Sequence, residues 1–173
     1  AIIKEIENAV DEKSLFASSV FDIKTQILKN ILAGPIYGRH SSRYILLKID
    51  LFHHGHSTPF IPPTTISTEH ILPQNPDKNS KWVSDFNEQE RQKWTDRLGN
   101  LILLSRRKNT SLSNLDYAQK REKYFKENIE LFSKSIKIMH DYSSWTLKEL
   151  KANHKDTLQR ILLLYGVNIS GAE

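Results

Sequence analysis

The sequence predicts an α+β fold that is mostly helical. Three observations carry this: apolar residues recur at helical spacing towards both ends, two short strand-like runs ("TISTEHI" and "GNLILLS") lie in the middle, and a polar, helix-patterned segment separates them. The strands are therefore expected to pair across a helical insert. With 173 residues the chain is long enough for one compact domain that buries roughly two-thirds of its unfolded surface. The elements divide it into an N-terminal helical segment (1–60), a central core with a helical insert (61–128) and a C-terminal helical segment (129–173).

Taken in order, "FDIKTQILKNILAG" places Phe21, Ile27, Leu28, Ile31 and Leu32 on one helical face and stops at Gly34 and Pro35. "RYILLKIDLFHHG" is a nearly continuous apolar run that periodicity leaves ambiguous; a buried helix ending at Gly55 is the expectation. "STPFIPPTT" breaks regular structure. In the insert, "DFNEQERQKWTDRLG" opens on a capping-box pattern from Asp85 to Glu88. The last part reads as helices, "SNLDYAQKREKYFKENIELFSKSIKIM" and "TLKELKANHKDTLQRILLLYG". Thr146 and Glu149 form a second capping-box pattern there, and Gly166 is the expected stop.

Composition excludes several classes. There is no cysteine, so disulfides, a cysteine nucleophile and thiolate zinc sites are ruled out, and a cytoplasmic setting is expected. No apolar run has the length of a membrane span, and "AIIKEIENAVDEK" lacks the shape of a signal peptide. Opening inside a helical pattern without a methionine, the chain is expected to be part of a longer protein. The net charge of +5 is unevenly spread: Arg106 to Arg160 holds 13 Lys and Arg against 7 Asp and Glu. That half is a candidate phosphate-facing surface, or a set of solvated helix faces.

The first strand-like run ends on Glu69 and His70, and the second is flanked by Asn100 and Asn109. Strand, strand, helix in that order resembles the ββα-metal finger of the HNH nucleases, whose first motif reads Asp/Glu-His-Ile-x-Pro. "EHILPQNP", "RLGNLILLSRRKNTSLSN", "YAQKREKYF" and "WTLKEL" together look like the C-terminal HNH-type domain of GmrSD-type restriction proteins, over about residues 40 to 165. The fold implied is a ββα-metal finger, two short antiparallel strands plus a helix, embedded in a helical domain. The function implied is metal-dependent cleavage of double-stranded DNA. An N-terminal ParB-like nucleotide-hydrolysing sensor domain in the same full-length protein is the implied partner, and it lies outside this chain.

The chemistry wants these residue types. A neutral imidazole is a natural base for deprotonating water near pH 7, which is the role expected of His70. A hard cation, Mg²⁺ first and Mn²⁺ second, takes oxygen ligands and keeps several waters, so Glu69 and Asn109 suffice as protein ligands. Asn109 stands where many relatives of the HNH superfamily carry histidine, which favours these ions over zinc or nickel. Asn100 is implied to fix the loop that carries the histidine, by side-chain hydrogen bonds to backbone. Neighbouring strand residues point to opposite faces, so the strand must end, twist or bulge at Glu69 and His70 for both to serve one site. Pro73 is consistent with an ending. About thirty residues separate His70 from Asn100, longer than a finger loop needs.

Arg106, Arg107 and Lys108 are expected to touch phosphates, with Lys120 and Lys123 as weaker candidates. Asn114 reads as a helix cap. His53, His54 and His56 are crowded together, but "HHGH" gives no helical pair and no adjacent carboxylate, so no metal is expected there. Trp82, Trp94 and Trp145 read as packing residues more than as base-stacking platforms. The alternative to an enzyme is a catalytically inactive nucleic-acid-binding module that keeps the finger fold for docking.

Overall fold

The computed structural model describes residues 2–22, 24–54, 59–61, 64–105, 114–126 and 132–167. It begins with α1 (Ile2–Asn8), α2 (Glu12–Phe16), α3 (Thr25–Ala33) and α4 (Ser42–His54). Then come β1 (Ser67–His70), α5 (Lys81–Asp85), α6 (Glu88–Trp94) and a 3₁₀ turn over Leu98–Asn100 that leads into β2 (Leu101–Leu104). The chain ends with α7 (Tyr117–Lys126), α8 (Ser133–Asp141) and α9 (Leu147–Leu164). This is the expected mostly helical α+β fold with one small sheet. No helix among the described residues is long and apolar enough to cross a membrane.

The strands pair antiparallel, with Glu69 opposite Ile102 and His70 opposite Leu101, and both faces of the sheet are covered. Ile102 and Leu104 join a core with Trp82, Trp94, Tyr117, Tyr124 and Trp145. Leu101 and Leu103 point the other way, into a core with Leu32, Ile36, Ile49 and Ile161. Burial on both faces explains why β2 reads "LILL" without alternation. It also makes β1, "STEH", an anomaly: a polar strand in an apolar layer, whose side chains each need a partner.

Local signals set most boundaries. α3 stops at Gly34, although Ile27 and Ile31 from its expected apolar face are exposed and only Leu32 is fully buried. α4 runs to His54, as its apolar run implied. The capping box of the insert lies two residues later than the sequence pattern placed it. Asp85 ends α5, so Asn87 becomes the cap of α6, exchanging hydrogen bonds with Glu90. The Thr146 and Glu149 box is present, and Gly166 ends α9 with φ +67°. Asn114 does not cap α7. The carbonyl of Asp116 takes the Lys120 amide at 2.9 Å, and the Asp116 amide donates to Gln119.

Two tertiary contacts do what local sequence does not. α8 is preceded by Phe132, which has no capping side chain; Asp50 of α4 supplies one, accepting from the Lys134 amide at 2.8 Å. The hydroxyl of Ser135 accepts from Leu103 N at 3.2 Å and donates to Leu103 O at 2.9 Å, satisfying the outer edge of β2.

α9 lies against the 3₁₀ turn. The Gly99 amide donates to His154 Nδ1 at 3.1 Å, and Asn153 donates to the Gly99 carbonyl at 2.6 Å. A Cβ on Gly99 would sit 2.5 Å from His154 Cβ and 2.7 Å from its Cα. Gly99→Ala is expected to cost roughly 3 kcal/mol, because the atoms it meets belong to a packed helix and cannot swing aside; urea denaturation measures it.

His154 is buried, and burial, aided by the Arg97 guanidinium, pulls its pKa down to about 4. The unfolded chain binds this proton from about pH 6.5 downwards while the folded chain resists it. The contribution is therefore complete above pH 6.5 and is lost as pH falls towards 4, on the order of 3 kcal/mol in all. His154→Asn, which keeps an acceptor for Gly99, is expected to flatten the stability profile between pH 7 and 4.5, measured by urea titration at each pH.

Candidate functional site

β1 ends where the site begins. Because paired residues share a face of the sheet, Glu69 goes with Ile102 towards α7, and His70 goes with Leu101 towards α3 and the segment after it. The two are neighbours in the chain, 2% and 3% exposed, and they leave the strand on opposite sides. The ladder continues for one bond beyond the strand, from Ile71 N to Asn100 O at 2.9 Å.

Asn100 is fully buried and holds the loop after His70. Its Oδ1 accepts from Leu72 N at 2.8 Å, and its Nδ2 donates to Leu72 O and Thr95 O, each at 2.8 Å. Trp145 Nε1 adds a longer contact of 3.4 Å to the same Oδ1. The amide imitates a peptide group and staples this loop to the end of α6 and the turn behind it.

On the α7 side, Lys120 stands 0% exposed. Its ammonium donates to His70 O at 2.7 Å and Ile71 O at 3.1 Å, and lies 3.6 Å from Glu69 Oε1. This corrects its expected place on a phosphate-facing surface. The residue points into the core because β1 leaves two carbonyls and a carboxylate buried there that need a cation. Lys123, nearly one turn further on, is partly exposed. Tyr124 also faces Glu69. Burial pushes its phenol above the ordinary range, the charge of Glu69 adds to this, and the hydroxyl has no hydrogen-bond partner among the described residues.

On the other side, His70 Nε2 lies 2.9 Å from Asp96 Oδ1, an oxygen that also accepts from Gln74 Nε2 at 3.0 Å. Tyr37 packs edge-on against the imidazole with ring centres 4.2 Å apart. Asp96 opens onto a cleft of about 570 Å³ whose walls include Gln74, Asn75, Lys78, Arg91 and Gln92.

Asn109, Arg106, Arg107 and Lys108 lie outside the described residues, as does His56. Among the described residues no group of three or more His, Cys, Asp or Glu could hold a metal ion. On the Glu69 side the one buried carboxylate is already balanced by the Lys120 ammonium at 3.6 Å. His53 and His54 form no such group; burial draws His53 down to about 4. Trp82, Trp94 and Trp145 are core residues.

Sequence reading missed Asp96, Gln74 and Tyr37. Gln74 sits inside the quoted "EHILPQNP", whereas Asp96 lies in "WTDRLG", where an acidic residue reads as an ordinary turn former.

Over residues 21–160 the chain matches the family described as GmrSD restriction endonucleases, C-terminal domain, and belongs to that family. The match takes in α3, whereas the sequence resemblance begins only at about residue 40. No curated protein matches the chain.

Removing Lys120 is expected to leave Glu69 as an uncompensated buried charge. Lys120→Met should cost about 3 kcal/mol or more. The double variant with Glu69→Gln should recover part of that loss, and a double-mutant cycle by urea denaturation reads the coupling.

Proposed function

We propose that this chain is a metal-dependent DNA endonuclease domain of the HNH type, cutting or nicking duplex DNA in the cytoplasm as the effector of a restriction or antiviral protein. The observation that carries this reading is the end of β1. A buried carboxylate and a buried imidazole diverge from consecutive positions of a strand that stops there, with the adjoining loop tied down by Asn100. Burying two ionisable side chains in a two-sided apolar layer is costly for stability alone, and chemistry at that point is a reason to keep them.

In this reading His70 takes a proton from water, a contribution on the order of 10²- to 10⁴-fold. The resulting hydroxide attacks phosphorus. Glu69 and Asn109 would hold Mg²⁺ or Mn²⁺, which supplies positive charge for the phosphoryl oxygens and the leaving alkoxide. Arg106, Arg107 and Lys108, directly after β2 in the chain, and Lys123 on α7 are the proposed phosphate contacts; Lys120 is not among them. A ParB-like nucleotide-hydrolysing domain elsewhere in the full-length protein is the proposed controller of cutting.

Supercoiled plasmid tests this. With Mg²⁺ the chain should yield nicked or linear DNA, and with EDTA neither. His70→Ala and, because the ring is buried, the better-filling His70→Asn should both lower cleavage by at least about 10²-fold while keeping the parent's circular dichroism spectrum and DNA affinity. DNA binding without cleavage under every metal condition would instead make the chain an inactive nucleic-acid-binding module.

A further inference from the structure

We propose that Asp96 is the positioning residue for His70: its carboxylate accepts the imidazole Nε2–H, fixes the ring, and leaves Nδ1 as the nitrogen that takes the proton from water. The inference rests on His70 being the base of the proposed nuclease, and goes beyond it by naming the residue that orients the base and the atom that reacts.

The geometry makes the case in steps. Asp96 Oδ1 is 2.9 Å from His70 Nε2. An ionised carboxylate can only accept, so the hydrogen of a neutral imidazole must sit on Nε2 and the lone pair on Nδ1. Asp96 is itself held by donors from separate parts of the chain. Its carbonyl accepts from Ile36 N at 2.8 Å and Tyr37 N at 3.1 Å, and Gln74 Nε2 donates to the carboxylate oxygen that His70 uses. Tyr37, placed by that backbone contact, closes on the imidazole edge-on. The ring is therefore clamped between a hydrogen bond and an aromatic edge.

The contact satisfies Nε2 of a side chain that is 3% exposed, while the Asp96 side chain is 40% exposed and reaches solvent. It also supplies one tautomer and one ring orientation, as a carboxylate does for the histidine base of hydrolases. When water gives its proton to Nδ1, both ring nitrogens carry hydrogen, the Asp96 carboxylate faces the cation formed, and the hydroxide left behind is the nucleophile.

The test uses the 173-residue chain, metal-free for spectroscopy and with Mg²⁺ for cleavage, with ¹⁵N-labelled histidine, taking the His70 signals as those lost in His70→Asn. In the parent, the nitrogen spectrum should show the Nε2–H tautomer. Asp96→Asn keeps the shape of the side chain and offers a donor, so the population should move towards Nδ1–H, and kcat on plasmid should fall by about 10²-fold or more with KM little changed. Asp96→Glu, which restores an acceptor, should recover part of the tautomer preference and part of the rate. An Nδ1–H tautomer in the parent, or parental cleavage by a folded Asp96→Asn, would overturn the proposal. If His70→Asn also cut at the parental rate, the assignment of the base would fall with it. If His70→Asn is inactive while Asp96→Asn cuts normally, the proposal for Asp96 alone falls.

Discussion

One buried amide holds the site together. Asn100 replaces a peptide group in a place where no strand continues, giving Leu72 both a donor and an acceptor and reaching Thr95 with its remaining hydrogen. Without it, the loop after β1 would bury unsatisfied backbone groups, each costing about 1–3 kcal/mol. The constraint extends in both directions along the chain. Gly99, one residue before, is gripped through both its peptide groups by α9. Thr95, at the end of α6, precedes the residue that touches His70. The longest helix of the described chain thereby fixes, through two consecutive residues, where the imidazole sits.

The second organising feature is a polar strand enclosed by apolar layers. "STEH" pairs with "LILL", and both faces are covered. Such a strand is tolerated because its buried polar side chains are answered individually: Glu69 by Lys120, His70 by Asp96. The two answers lie on opposite sides of the sheet, and each comes from a different part of the chain. Lys120 also takes the carbonyls of His70, the last residue of β1, and of Ile71, so one cation both ends the strand and balances the carboxylate. A surface lysine would contribute little of this, since exposed pairs are screened by water.

Much of the fold was legible in the sequence because its signals are local. Gly34, Gly166 and the Thr146 and Glu149 box act within a turn or two of the residues they control. "GNLILLS" read as a strand-like run, and the ordered motifs from "EHILPQNP" onwards carried the family. Where local reading slipped, a competing local choice had won. The capping box moved from Asp85 to Asn87 because a short helix already occupied Asp85, and Asn114 yielded its cap to Asp116.

What the sequence by itself determined is the order and kind of elements and the polar residues, Glu69, His70 and Asn100, that stand at the end of β1 and before β2, since strand period, caps and motif spacing are properties of neighbouring residues. What only the tertiary structure decided is whom those residues meet. Lys120 looks like any solvated helix lysine until α7 is laid against β1, fifty residues away. Asp96 looks like a turn residue until the insert brings it back across twenty-six residues to the imidazole. Separations of that size are set by how helices pack around the sheet, and no local pattern of charge or polarity encodes them.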